Sequence, residues 1–177
     1  MKIWRLEFDV NNYENLFAGE SFDYIKIHER PGKSKKREWK PIKVVRMYPR
    51  EKRPLGDAPG FTVPVFSTKA KNALSPLIAK NVEFLPMDFP EKTFFAVNVL
   101  TILEGAVDLS QCKYNTFPSG RVMWIDKYVF NKHVVEKAPI FKIAEESKLD
   151  AFVSDSFRDI IVQEGLEGFK LNLVWEG

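Results

Sequence analysis

The chain has 177 residues, of which 45% are hydrophobic and 29% charged, with a formal net charge of +3. Its single cysteine, Cys112, excludes a secreted scaffold stapled by internal disulfides, and no run approaches the roughly 18 apolar residues of a membrane span. The alternating start Met1-Lys2-Ile3-Trp4-Arg5-Leu6-Glu7 is not a signal peptide, so the expectation is one domain over residues 1–177 in a reducing cytoplasm.

Trp4, Leu6, Phe8 and Val10 alternate with Arg5, Glu7 and Asp9, which predicts a half-buried strand broken by Asn11-Asn12. A second short strand is expected over Asp23 to His28. Pro31-Gly32 then opens a turn-rich basic loop running to Pro41, and Ile42 to Tyr48 reads as strand. Pro49 to Gly60 is a loop or a seam. Phe61 to Phe66 is extended, with Pro64 pointing to a sheet edge or bulge. Ser67 is placed to cap a helix whose Ala70, Ala73, Leu74, Leu77 and Ile78 form one apolar face. Pro76 inside that stretch predicts a short or bent helix. Asn81 ends it, and Val82 to Leu85 is the return strand. Thr93 to Leu103 fits a buried strand, Gln111 to Gly120 a loop, Arg121 to Phe130 a strand rich in β-formers, and Pro139 to Ile143 another. Ser154 or Asp155 caps a helix from about Ser156 to Gln163, which Gly165 ends in the left-handed conformation. Phe169, Leu171, Leu173 and Trp175 then alternate along a terminal strand.

One unit occurs twice, 87 positions apart and without a gap. Val65-Phe66-Ser67-Thr68, a helical stretch and Val82-Glu83-Phe84 match Phe152-Val153-Ser154-Asp155, a helical stretch and Phe169-Lys170-Leu171. The expected fold is therefore α+β, a mostly antiparallel sheet with two short helices in two equivalent β-α-β elements. Residues 61–175 would be its core, and residues 1–60 an amino-terminal β portion carrying a basic segment at 30–53.

No catalytic signature stands out. His28 and His133 are the only histidines, and neither accompanies a Gly-x-Ser-x-Gly or comparable pattern. One cysteine and two separated histidines do not make a zinc site. Asp88, Glu104, Asp108 and Asp126 lack the spacing of a calcium loop. Gly32-Lys33-Ser34 mimics the end of a phosphate-binding loop, but Ile27 stands where its first glycine belongs. No cofactor, metal or catalytic residue is assigned. An enzyme with an unrecognised carboxylate site stays open as an alternative.

Charge is distributed unevenly. Residues 30–53 hold eleven of the 27 lysines and arginines and only two acids, Glu38 and Glu51. Lys33, Lys35, Lys36, Arg37 and Lys40 cluster around Trp39. Such a cluster can neutralise phosphates and stack on bases, dock an acidic protein, or stand solvated. Flanked by Pro31-Gly32 and Pro41 with no apolar periodicity between, the loop is expected to be mobile and dispensable for folding. Glu145, Glu146, Asp155 and Asp159 belong to an opposite, acidic cluster near the carboxyl terminus, a second candidate surface for a partner.

Five ordered segments carry a resemblance: Phe94–Leu100, Val107–Ser110, Pro139–Ile143, Phe152–Phe157 and Gly165–Phe169. Their layout resembles a bacterial family once catalogued only as a domain of unknown function. That family is now assigned, largely from gene neighbourhood, to immunity proteins of polymorphic toxin systems. The resemblance is clearest over residues 61–175. It implies a non-enzymatic protein that binds and neutralises a cognate toxin. A basic, nucleic-acid-directed toxin would call for an acidic inhibitor. Because this chain is net basic, either its acidic face binds or the toxin is of another kind. A nucleic-acid-binding accessory role through residues 30–53 is the remaining alternative.

Overall fold

The computed structural model describes residues 1–177. The opening alternation forms β1 (Lys2–Phe8). Trp4, Leu6 and Phe8 face one core and Ile3 another, so both faces of this strand are covered. The chain continues through β2 (Leu16–Phe17), a 3-10 turn at Lys26–His28, β3 (Ile42–Lys43) and β4 (Val45–Arg46). Then come β5 (Val65–Ser67), α1 (Thr68–Ile78), β6 (Val82–Asp88), β7 (Phe94–Val99) and β8 (Ile102–Leu103). β9 (Lys113–Thr116) and β10 (Val122–Lys127) precede α2 (Lys132–Val135) and β11 (Ile140–Ile143). The chain closes with β12 (Phe152–Ser154), α3 (Asp155–Gln163) and β13 (Phe169–Glu176).

This is an α+β fold with three helices. The strands form a five-stranded sheet in the order β13-β1-β12-β11-β8, a four-stranded sheet in the order β3-β6-β7-β5, and the two ribbons β9-β10 and β2-β4. All pairings are antiparallel except β8 with β11 and β3 with β6. β5 and β6 both pair with β7 and so are separated by it. β12 and β13 likewise enclose β1. The strands of each strand-helix-strand segment are thus not neighbours, and a third strand fills the gap.

Both helices over these segments start at a serine whose hydroxyl accepts a backbone amide, Ser67 from Ala70 and Ser154 from Phe157. Gly165 ends α3 at φ +56°, the left-handed turn expected of it. α1 runs eleven residues with Pro76 in its last turn, where the proline leaves the Asn72 carbonyl without its amide partner and the helix ends two residues later. Its buried Ala70, Leu74 and Ile78 join Phe157 and Ile161 of α3 and residues of both large sheets in one core. Phe66 lies at its centre, with ring centroids 5.2 Å from Phe169 and 6.4 Å from Phe157.

Several sequence expectations need correction. Asp23 to His28 is not a strand. The Asp23 carboxylate accepts the amides of Ile25 and Lys26, and that local satisfaction replaces a ladder. Gln111 to Gly120 is not all loop, since Lys113–Thr116 pairs with β10 across a turn at Gly120, φ +81°. Ile42 to Tyr48 is two strands that divide at buried Val44 and pair with β6 and β2 respectively. Thr93 to Leu103 divides as well, because the amides of Leu100 and Thr101 turn to the Asn81 carbonyl. The brief α2 adds a third helix to the two expected, and the single sheet is four.

One carboxylate joins the two strand-helix-strand segments. Asp57 is buried, accepts the Ser67 hydroxyl at 2.7 Å and accepts the Glu167 amide at 3.1 Å. Its own amide donates to the Glu167 carbonyl at 2.8 Å. Gly168 lies so close that a Cβ there would sit 2.9 Å from the Ala58 carbonyl oxygen, at φ +87°. Asp57→Ala is expected to cost about 3 kcal/mol, since it orphans two buried donors, whereas Ser154→Ala costs about 1 kcal/mol as a cap alone. Urea denaturation of the two variants at neutral pH measures the difference.

Candidate functional site

The basic loop is built onto the face of the four-stranded sheet that carries Leu85 and Met87. Glu83 shares that face and is buried beneath the loop. An ionised carboxylate in that position needs donors. They come from the Ser34 hydroxyl, from the Lys35 amide at 2.9 Å and from Asn98 Nδ2 at 3.0 Å. Burial alone would raise the Glu83 pKa, but these donors outweigh it and hold the group below its ordinary value. Asn98 also donates to the Lys33 carbonyl, and Trp39 Nε1 to the Pro86 carbonyl at 2.8 Å. Trp39 packs on the core below. Gly32 presses on the start of β8, where a Cβ would lie 2.7 Å from Ile102 Cγ1. The mobile, dispensable loop expected from sequence is instead fastened at four points. The signal missed was Glu83 itself, an acid between Val82 and Phe84 that reads as the wet face of a strand.

The charges of the basic segment separate into two groups. Arg46 forks onto Glu91 and lies 3.5 Å from buried Glu14. Arg53 pairs with Glu51 and stacks over Tyr48, 4.4 Å from its centroid. Those charges are engaged within the fold. Lys33, Lys36, Arg37 and Lys40 are exposed, and none forms an ion pair within the chain.

Beneath the loop runs a narrow cleft lined by Ile27, His28, Lys35, Trp39, Pro64 and Lys142, among others. It shares Lys35 and Trp39 with a wider basin of about 380 Å³, and His28 and Lys142 with another of about 330 Å³. Lys142 Nζ donates to the Leu149 carbonyl at 2.8 Å, and Lys35 Nζ to the carbonyls of Ile27 and Glu29 at 2.7 and 2.9 Å. Burial, with Lys35 nearby, pulls Lys142 down to about 8. Burial and the two lysines also lower His28, whose Nε2 lies 2.8 Å from the Thr62 hydroxyl. Sequence reasoning passed over Lys142. Its one signal is a lone cation inside the apolar run Ile140–Ile143.

The acidic candidates do not gather into one surface. Glu146 is buried, accepting the Ile125 amide and the Tyr128 hydroxyl, both at 2.8 Å. Asp155 accepts the Lys2 amide and Trp4 Nε1 at 2.9 and 3.0 Å. Glu145 is half-buried, and Asp159 is exposed beside Arg158. Of the β9-β10 ribbon only the second strand is legible in the sequence; the ribbon and its turn show Tyr114, Phe117 and Trp124 to solvent. No group of three or more His, Cys, Asp or Glu is arranged to hold a metal ion, and no helix is long and apolar enough to cross a membrane.

Residues 13–175 match the model of an immunity protein family, Imm11, and the chain belongs to that family. It is an immunity protein, paired by that membership with a cognate toxin. The match takes in the basic segment as well as residues 61–175. Among curated proteins, no sequence matches this chain.

Glu83→Gln replaces one of two acceptor oxygens with an NH2 donor facing the donors of the loop, and should cost about 2 kcal/mol. Limited trypsin digestion should then cut faster after Lys36 and Arg37. Because the Glu83 pKa is depressed on folding, its contribution is full above the ordinary carboxylate range and fades as pH falls through the depressed value. An acid titration of stability should lose that component in the Gln variant. Lys142 behaves oppositely. Its folded pKa of about 8 lies below the unfolded value, so wild-type stability gains as pH rises from 8 toward 10. Lys142→Met should stabilise by about 1 kcal/mol at pH 7, with the advantage shrinking over that window in pH-dependent thermal denaturation.

Proposed function

We propose that this immunity protein disarms its toxin by direct coverage, and that the face presenting the basic loop makes the contact. Lys33, Lys36, Arg37 and Lys40 would meet the toxin, with Lys35 and Trp39 as anchors beneath. One observation carries the reading: these cations stand exposed on a backbone fastened through Glu83 and Pro86. A loop ordered before the encounter loses little conformational freedom in it. A fixed cluster of one sign also steers an oppositely charged partner and raises its association rate. The toxin surface that fits is therefore acidic. An interface of ordinary size buries about 800 Å² on each partner, so ground around the loop must join it. Of the acidic candidates, Glu145 and Asp159 remain for partner contact. Glu146 and Asp155 would act only through the elements they hold.

Two finer readings accompany this one. We take the segments 65–84 and 152–171 to be equivalent elements. The gapless sequence match, the paired serine caps and the enclosed third strand support it. Poor superposition of the two segments in an experimental structure would remove it. We also take residues 1–177 to unfold as one unit, tied by Asp57, and to act in the cytoplasm, where Cys112 stays reduced.

The triple reversal Lys36→Glu, Arg37→Glu, Lys40→Glu should slow association with the cognate toxin domain by about tenfold or more at low salt. Thermal unfolding should shift little, because the three side chains are solvated. Surface plasmon resonance and a melting curve on the same sample read both quantities. Unchanged association at low salt would move the contact to another face.

A further inference from the structure

The cleft under the loop holds two ammonium groups that no carboxylate of the fold contacts. Lys35 and Lys142 both line it, and neither ammonium has a carboxylate oxygen within 4.0 Å. Each carries three donors. Lys142 uses one and Lys35 two, all on backbone carbonyls. The acids around them are engaged elsewhere or stand at the lip without contact. Asp150 faces Lys142 but is held by Arg5 Nε at 3.1 Å. Glu7, on the wall shared with Lys142, lies 4.0 Å from Arg5 and 3.8 Å from Lys170. Glu83 is saturated by the loop, and Glu29, an exposed residue at the lip of the cleft, meets Lys35 through its carbonyl and forms no ion pair with it. His28 lines the same cleft with Lys148 near it, so a third group that can carry positive charge faces the space. Half-buried charges with spare donors and no carboxylate in direct contact are costly, even with Asp150 opposite Lys142 and Glu29, Glu38 and Glu83 acting on Lys35 from farther off. An incoming anion relieves that cost.

The walls narrow the choice of anion. Ile27, Pro64, Leu85, Ala96, Val97 and Val99 supply aliphatic surface, and the space amounts to about 40 Å³. That suits a carboxylate on a short methylene stem, which needs charge at its tip and apolar contact along its length.

We propose that the cleft lined by Lys35, Lys142 and His28 is a socket for one carboxylate, supplied by an aspartate or glutamate side chain of the toxin. This rests on the reading of the basic loop as the toxin-facing surface. The loop cations steer the encounter, and the socket then holds one acidic side chain and slows its departure.

The test uses the whole protein and three readouts. The first is the His28 ring signal in NMR during titration with acetate and, separately, with inorganic phosphate. Acetate should shift it in the wild type and in the Lys36→Glu, Arg37→Glu, Lys40→Glu variant, but not in Lys142→Met. A shift with phosphate alone would make the socket a site for free phosphate and overturn the carboxylate assignment. The second readout is toxin dissociation. Lys142→Met should speed it by about tenfold or more with little change in association. An unchanged dissociation rate overturns the socket, and if the triple reversal still slows association, the loop-face reading survives alone. The converse result, loss from Lys142→Met with none from the triple reversal, keeps the socket and removes the loop face. The third readout guards against a variant that fails to fold. In the wild type, acetate affinity should fall as pH rises past about 8, where Lys142 gives up its proton among Lys35, His28 and Asp150. A flat profile from pH 7 to 10 counts against the proposal.

Discussion

Four buried carboxylates organise this molecule, and each reaches for the backbone of a distant segment. Glu14 accepts the amide of Tyr48, Asp57 that of Glu167, Glu83 that of Lys35 and Glu146 that of Ile125. All four are nearly or wholly inaccessible to water. A carboxylate so placed must find donors or lose its charge. For Glu14 and Glu83 the donors sit on Pro- and Lys-rich segments with almost no apolar periodicity. Burial of side chains does little to fasten such segments, because they have little to bury. The carboxylates do that instead, and they fix where the loops run relative to the sheets.

This arrangement explains the division between what the sequence discloses and what it conceals. Ser67 with Ala70, Leu74 and Ile78, and Ser154 with Phe157 and Ile161, disclose two capped helices because capping and the 3.6-residue period are local rules. Gly165 discloses its turn for the same reason. Burial of Glu83 is not local. It depends on Ser34 and Lys35, some 48 residues away, and no pattern around Glu83 distinguishes it from half-buried Glu7 on β1. Lys142 is concealed likewise, since its neighbourhood is supplied by the loop at 27–35. Asp23 misleads in the opposite sense. Its side chain satisfies two amides that β-propensity would assign to a ladder.

The net charge of +3 is a poor guide to this surface. Arg46 and Arg53 count toward it yet are paired within the chain, with Glu91, Glu14 and Glu51. Lys36, Arg37 and Lys40 count equally and face water. Glu146 and Asp155 count against it while serving as hydrogen-bond acceptors in the interior and at a helix start. What a partner meets is the remainder after such pairings. On the loop face that remainder is strongly positive, although the acidic composition of the rest of the chain nearly cancels it on paper.

The position of β1 between β12 and β13 has a temporal side. Lys2–Phe8 is synthesised well before either of the two strands that flank it. At roughly 5–20 residues per second of synthesis, the strand waits on the order of ten to thirty seconds with both edges open. Over that interval its Ile3 and Leu6 have no core to enter, and the five-stranded sheet cannot close. Protection therefore begins only some time after translation does. A cell relying on this chain must keep a finished pool of it ahead of any toxin it makes.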